Sequence, residues 1–392
     1  MTVRIAIATR IYRPEPSAAS SYLGAVADEA TSRGHDVTVV TVRPPAGIPV
    51  GSTVETVRMM PVLRDRSGYV KGYLQYLSFD VPLFFRLLVL RRPDVVLMEP
   101  PPTTGLVVRV VCAIRRIPYV YDAADIWSDA AEQATGSRTV IRVLRMMERF
   151  AMQGARSLVT ISQGVMDRVR AMGVDRPVTV TGFGADTTAF LSPVRTDTPT
   201  DRVLLYAGTY SPWHGADAAV DAFAAFSSTH PGYRLRFIGN GSERDLLERR
   251  ARELGVDDAV EFVETIPSEQ LLPELHRAVA TIATLRPGGG YEYAFTTKAY
   301  SSMAAGCPVV FAGPGPTAAF LDRANAEVRA GVVCDYDPAQ IAEAMAVFAD
   351  DPLSGEQRVA LAEWTAAEHS LTAVASRVVD VIEASAAGER RS

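Results

Sequence analysis

The stretch Arg286-Pro-Gly-Gly-Gly-Tyr-Glu-Tyr-Ala-Phe-Thr-Thr-Lys298-Ala-Tyr-Ser-Ser-Met-Ala-Ala-Gly306-Cys-Pro-Val-Val310 decides how this 392-residue chain is read. Behind the β-branched run 281–285 come a Gly-rich loop, a short helix, a Gly turn and a second β-branched run, which is one step of a parallel βαβ sheet. Thr296 or Thr297 caps a helix over residues 298–305. Lys298 then falls in the first turn, where unpaired amides and the helix dipole favour an anion. A cation is locally unfavourable there, so a bound phosphate explains Lys298 better than helix propensity does. The plain alternative is a surface lysine laid over an apolar patch.

Outward from this segment the same logic repeats. Short apolar runs at 3–9, 36–42, 94–99, 119–122, 158–162 and 178–181 alternate with helix-length amphipathic stretches. A second series follows at 203–208, 235–239, 260–264, 281–285, 308–312 and 331–335. The polar, Pro- and Thr-rich residues between the two series read as a linker. The expected organisation is α/β, with doubly wound domains at 1–190 and 203–365, a linker at 191–202 and a C-terminal helix in 366–392. Ser242-Glu243-Arg244-Asp245 reads as a capping box, and Asp337-Pro338 as an N-cap with proline at the first helical position. Open α/β sheets bind ligands at the carboxyl ends of their strands, so the chemistry is sought in the loops after strands.

Composition agrees with an ordinary soluble globular protein of about two domains: 48% hydrophobic, 22% charged, net charge −5. The balance is uneven, because residues 1–190 carry 23 basic and 17 acidic groups and the remainder carries 17 and 28. Basic residues comprise 38 arginines and two lysines, Lys71 and Lys298. Cys112, Cys307 and Cys334 show neither disulfide nor zinc spacing. No run of apolar residues is long enough to span a membrane and the start has no signal-peptide pattern, so a cytoplasmic location is expected.

Several motifs carry a resemblance. Tyr12-Arg-Pro-Glu15-Pro-Ser17-Ala-Ala-Ser20, Arg33-Gly-His-Asp36, Arg92-Pro-Asp94, Asp125-Ile-Trp127-Ser128, Thr160-Ile-Ser162, Tyr206-Ala-Gly208, Ile238-Gly-Asn-Gly241 and Ala304-Ala-Gly306-Cys-Pro308 occur in order. In these the chain resembles the retaining glycosyltransferases of family 4, with the GT-B fold, most like the branch that makes cell-surface polysaccharides. The resemblance implies two Rossmann-like domains facing across a cleft, a C-terminal helix packing back on the first, a nucleotide sugar on the second domain and an acceptor on the first. It also implies a metal-independent transfer that keeps the anomeric configuration. Lys298 matches the family's diphosphate-binding lysine and is the expected catalytic cation.

Other residues follow from the same match. Gly208, Thr209 and Tyr210, with Phe295, Thr296 and Thr297, are expected to line the diphosphate. Gly239 and Gly241 correspond to the turn beside the nucleotide base; the alternative is a tight turn alone. Two family glutamates are replaced by Tyr293 and Ser301, with Glu292 one residue away. Ser301 cannot grip two ribose hydroxyls as a carboxylate does, which leaves two donors open: a dTDP-sugar, whose pentose lacks one of those hydroxyls, or, conservatively, a UDP-sugar held by other groups. His214 stands near a family lysine and either contacts the donor or packs on Trp213; Arg286 is a second candidate cation. Asp125 is a candidate catalytic carboxylate or a helix cap, and Glu15, Ser17 and Ser20 are acceptor-side candidates. Asp335-Tyr-Asp337 matches a metal-binding string but explains itself as a helix start, so no metal is expected.

Two stretches bear on membranes: the aromatic-rich 73–85, and Arg138, Arg142, Arg145 and Arg149 on one helix face. Core packing and a solvated face are the preferred readings, with peripheral contact at an inner membrane surface the alternative. The expected partners are a nucleotide-sugar donor and an acceptor glycan, lipid or secondary metabolite, with no nucleic acid. Rival functions are a GT-B epimerase or pseudo-glycosyltransferase, and a non-catalytic nucleotide-sugar-binding partner.

Overall fold

The computed structural model describes residues 2–15, 17–44, 55–64, 70, 72–134, 137–184, 201–288, 290 and 292–388. The chain divides into two compact units, Met1–Gly184 with Leu371–Ser392, and Ala185–Ser370. Most of the expected linker and Lys71 lie outside the described residues.

The first unit is built on seven parallel strands, β1 (Arg4–Ala8), β2 (Asp36–Val42), β3 (Thr56–Met60), β4 (Val95–Met98), β5 (Tyr119–Ala123), β6 (Ser157–Thr160) and β7 (Val178–Val180). Their order is β3-β2-β1-β4-β5-β6-β7. The edge strand β3 is absent from the sequence reading: Glu55 and Arg58 break its apolar run, as edge strands allow. Its helices are α1 (Ala18–Ser32), α2 (Tyr73–Val89), α3 (Pro102–Arg115), α4 (Trp127–Ala134), α5 (Arg138–Gly154) and α6 (Gln163–Ala171). Core packing holds for one side of α2 only. Phe79, Leu83 and Leu87 are buried, whereas Leu74, Leu77, Val81, Phe85 and Val89 are exposed.

The second unit holds β8 (Val203–Ala207), β9 (Arg234–Ile238), β10 (Val260–Val263), β11 (Ala280–Thr284), β12 (Val309–Ala312) and β13 (Gly331–Cys334) in the order β10-β9-β8-β11-β12-β13. Its helices are α7 (Asp217–Thr229), α8 (Arg244–Leu254), α9 (Ser268–Arg277), α10 (Lys298–Ala304), α11 (Pro316–Asn325), α12 (Pro338–Asp350) and α13 (Gly355–His369). Asp337 caps α12 as expected, accepting from the amides of Ala339 and Gln340 at 3.1 Å each. The capping box before α8 does not form, since Glu243 occupies the cap position without a side-chain bond. Thr297 likewise precedes α10 without capping it.

The last helix, α14 (Leu371–Ala387), belongs to the first unit and begins five residues after the boundary expected at 366, because α13 runs to His369. Val374, Val378, Val379 and Ile382 join Leu23, Val26 and Ala27 of α1 in one core. Polar contacts fix the register: Arg33 reaches Asp380 at 2.6 Å and the Ser376 hydroxyl at 2.7 Å, and Glu383 meets His35 at 2.7 Å. In each sheet the strand order reverses once, between β1 and β4 and between β8 and β11. Ligands of open α/β sheets seat at the carboxyl ends of such reversals.

Candidate active site

At the reversal in the second unit, the turns after β8 and β9 press backbone on backbone. The Gly208 amide donates to the Ile238 carbonyl at 2.8 Å, and a Cβ on Gly239 would collide with the Gly208 carbonyl. A Cβ on Gly241 would likewise strike the backbone of Tyr210. Both glycines are therefore required by the approach of the protein's own two loops. Tyr210 is fully buried, and its hydroxyl donates to the Gly239 carbonyl at 2.7 Å. Its side chain is a strut beneath the turn and not the donor contact expected of it; Thr209 beside it is exposed.

Lys298 lies over this turn. Gly208 adopts φ +125°, and a Cβ there would sit 3.0 Å from Lys298 Cε, so the lysine stem runs across the glycine. Its Nζ is 5.4 Å from the centroid of the Tyr206 ring. Among the described residues the ammonium has no ion pair or hydrogen-bond partner, and burial pushes it down to about 7. Ser301 follows one turn later on the same side of α10, while Ala299, Tyr300, Ser302 and Met303 are buried. A cation kept partly from water with no counter-ion is poised for an anion.

His214 completes this corner. Its Nδ1 accepts the Ser211 amide at 3.1 Å, which leaves the proton on Nε2 of a neutral ring. Burial, then the charge of Lys298, pushes the imidazole down to about 3, so His214 adds a hydrogen-bond donor and no charge. The ring also packs beside Trp213, with centroids 5.6 Å apart, so the two readings of this residue coexist. Arg286 is not available as a second loose cation: its Nη2 pairs with Asp217 Oδ1 at 2.5 Å. Glu292 closes the Gly-rich loop, accepting the Gly288 amide at 2.6 Å. Thr296 is buried with its amide bound to the Thr317 hydroxyl at 2.8 Å, Thr297 is exposed, and Phe295 stacks on Tyr300 at 4.4 Å. The side chains of Phe295 and Thr296 therefore shape the loop.

The first unit assigns structural duties to the three acceptor-side candidates. Glu15 is held by Arg64 at 2.6 Å, Ser17 caps α1 by accepting the Ser20 amide at 3.1 Å, and Ser20 is buried in that helix. Asp125 is exposed just beyond β5. The amides of Trp127 and Ser128 at the start of α4 donate to the buried Glu148 at 2.7 and 3.0 Å, a cap supplied from α5.

Two family descriptions match the chain in sequence, the glycosyl transferase 4-like domain over residues 17–184 and the glycosyl transferases group 1 domain over residues 191–366. The chain belongs to the GT4-type glycosyltransferases. A D-inositol 3-phosphate glycosyltransferase from Acidothermus cellulolyticus is 35% identical over 52% of this chain and 45% of its own length. A glycogen synthase from Mycobacterium tuberculosis is 28% identical over 65% of this chain and 60% of its own. The chain thus matches less than two thirds of either relative. Among solved structures, sucrose-phosphate synthase from Thermosynechococcus elongatus superposes with a TM-score of 0.73 at 17% identity, covering 96% of this chain and 97% of that one. HepE from Anabaena, in complex with UDP and glucose, gives 0.68 at 18% identity over 97% and 99%. These likenesses establish the GT-B fold.

This GT4-type glycosyltransferase also carries two carboxyl groups that the sequence reading passed over. Glu99 follows β4 and Asp122 lies near the end of β5, beside the strand reversal of the first unit. Burial pushes Glu99 up to about 7, with Arg10 and Thr9 opposing and Asp125 adding; burial and then Glu99 push Asp122 up to about 8. The Thr9 hydroxyl lies 3.1 Å from Glu99 Oε2 as a donor and also reaches the Ile11 carbonyl at 2.8 Å, so its one proton is shared between the two acceptors. The signal was available only as position: each is a carboxylate at the carboxyl end of a strand.

Proposed function

We propose that this protein is a retaining, metal-independent glycosyltransferase that moves a hexosyl group from a nucleoside-diphosphate sugar to an acceptor hydroxyl. The observation that carries the reading is the unpartnered Lys298 ammonium stretched over Gly208 at the strand reversal of the second unit. The description of HepE as a complex with UDP and glucose supports it by analogy. In this reading Lys298 takes up a proton as the diphosphate binds and stabilises the charge that grows as the anomeric C–O bond to phosphate breaks. The acceptor oxygen bonds to the anomeric carbon on the same face, and its proton leaves on the departing diphosphate, so charge and atoms balance. His214 Nε2–H donates one hydrogen bond to the same phosphates. Asp125, beyond β5, orients the acceptor hydroxyl. No metal is invoked, because Asp337 caps α12 and Asp335 accepts from the Gln340 side chain.

Ser301 places a hydroxyl, not a carboxylate, one turn after Lys298. That favours a deoxyribose donor such as a dTDP-sugar, with a UDP-sugar held by other groups as the alternative. A thermal-shift panel of paired ribo and deoxyribo donors separates these, since a bound donor raises apparent stability by mass action. A strong ribo preference would sink the deoxyribose reading, and silence with every donor would sink the proposal. Labelled-donor product analysis then reports transfer and anomeric configuration. Turnover abolished in Lys298→Ala excludes a purely binding role.

A further inference from the structure

Helices α2, α3 and α5 lie side by side, with α3 packed against both others. Of the fourteen exposed large apolar side chains among the described residues, nine belong to these three helices. On α2, Leu74, Leu77, Val81, Phe85 and Val89 are 52–83% exposed and recur at spacings of three or four, so they form one stripe along the helix. Monomeric soluble proteins seldom leave so continuous an apolar strip facing water.

Charge on the same three helices is one-sided. They carry seven arginines and no lysine, and both of their carboxylates are buried: Asp80 accepts the Thr104 hydroxyl at 2.6 Å, and Glu148 caps α4. Where β5, β6 and β7 begin, a cavity of about 460 Å³ is walled by Arg109, Arg116, Arg156 and Arg176, with no carboxylate in its lining. Three of these arginines occupy the turns just before the three strands. None of the four has an ion-pair partner among the described residues. The cavity adjoins the apolar face, since the Arg109 guanidinium lies 3.6 Å from the centre of the Phe150 ring and Ala113, next to the exposed Ile114, lines it.

We propose that this face docks on an anionic lipid bilayer, the α2 stripe entering the headgroup boundary and the four-arginine cavity holding a headgroup phosphate. A second copy of the chain is a poorer occupant, because pairing this face with itself sets arginine against arginine. An anionic bilayer complements both features at once. The proposal does not depend on which sugar is transferred. It gives the exposed side of α2 a docking role and leaves Phe79, Leu83 and Leu87 in the core.

The test is co-sedimentation of the full chain with vesicles of phosphatidylcholine, alone or containing about one third phosphatidylglycerol. The expected result is at least ~10-fold tighter association with the anionic vesicles, weakened by salt. Leu77→Ser with Phe85→Ser, and separately Arg116→Ala with Arg156→Ala and Arg176→Ala, should each lower that association about 10-fold or more. Each variant should keep the parent's melting transition in scanning calorimetry, which shows that it is folded; Phe85→Ser alone serves if the double variant fails that check. Equal association with neutral and anionic vesicles, or none, overturns the proposal. So does a dimer in light scattering that the apolar variant dissolves, which would assign the face to a second copy.

Discussion

A single ammonium group sets the terms at the residue scale. Its ordinary value is 10.5 and burial in the folded protein brings it to about 7, so over that window the unfolded chain binds more protons than the folded one. Stability of the ligand-free protein should therefore rise with pH from about 7 towards 10. Affinity for a nucleoside diphosphate should fall over the same range, because binding must first restore the proton. Calorimetry of UDP or dTDP binding in buffers of different ionisation enthalpy checks the proton uptake, and Lys298→Met should abolish it. That variant should also melt a few degrees higher without ligand, about 2–4 °C for each kcal/mol recovered. Gly208→Ala is the complementary change. It forces an L side chain to φ +125° and crowds Lys298 Cε, so we expect donor affinity to drop at least ~10-fold with a stability loss of about 1–2 kcal/mol. Lys298 was legible in the sequence because a lysine beside a Gly-rich loop at a helix start needs a local explanation. The ion pair of Glu15 with Arg64, 49 residues away, was not, and neither was the neighbourhood of Glu99 and Asp122. Those depend on which strands become neighbours, which local pattern does not reveal.

Among the elements, helices are fixed by partners brought from elsewhere in the chain. Glu148 on α5 caps α4 across 20 residues or more, and Glu148→Ala leaves two amides open. The expected cost is about 1–2 kcal/mol, with a change in Trp127 fluorescence as α4 loosens. In the second unit the buried Arg358 on α13 donates to the carbonyls of Leu275 at 2.9 Å and Ala278 at 3.3 Å, satisfying the end of α9. Arg358→Met removes both bonds and should destabilise that unit by about 2–3 kcal/mol in urea unfolding. Helix and strand positions followed well from apolar periodicity, whereas caps did not. Ser242 looked like a cap and is not one, because Glu243 takes that position; Asp337 looked like one and is. Edge strand β3 escaped notice for a related reason, since a strand paired on one side needs no continuous apolar run.

For the molecule as a whole, the first unit is discontinuous, closed by α14 from the far end of the chain. Leu371, Val374, Val378, Val379 and Ile382 are buried in its core. At about 1.5–3 kcal/mol for each large side chain, their removal costs as much as a domain's entire margin of about 5–15 kcal/mol. A chain ending at Ser370 should therefore lose the first unit's melting transition in scanning calorimetry and keep the second's. The return of the last helix is what the family resemblance implies, and no local pattern in residues 371–387 calls for it. The reason it returns lies in the α1 surface, whose Leu23, Val26 and Ala27 share one core with Val374, Val378 and Ile382 of α14.

This architecture carries a consequence for how the protein is made. The ribosome finishes the strands of the first unit by Gly184, yet the helix that seals them emerges only after the 186 residues of Ala185–Ser370. At about 5–20 residues per second the open α1 groove waits roughly 10–40 s during synthesis. The second unit, continuous in sequence, has all its residues once Ser370 is out, while the first still lacks α14, so the unit made later can be completed earlier. Nascent chains stalled when Ser370 has just left the exit tunnel, with α14 still inside it, should show a protease-resistant second unit beside a first unit still held by chaperones.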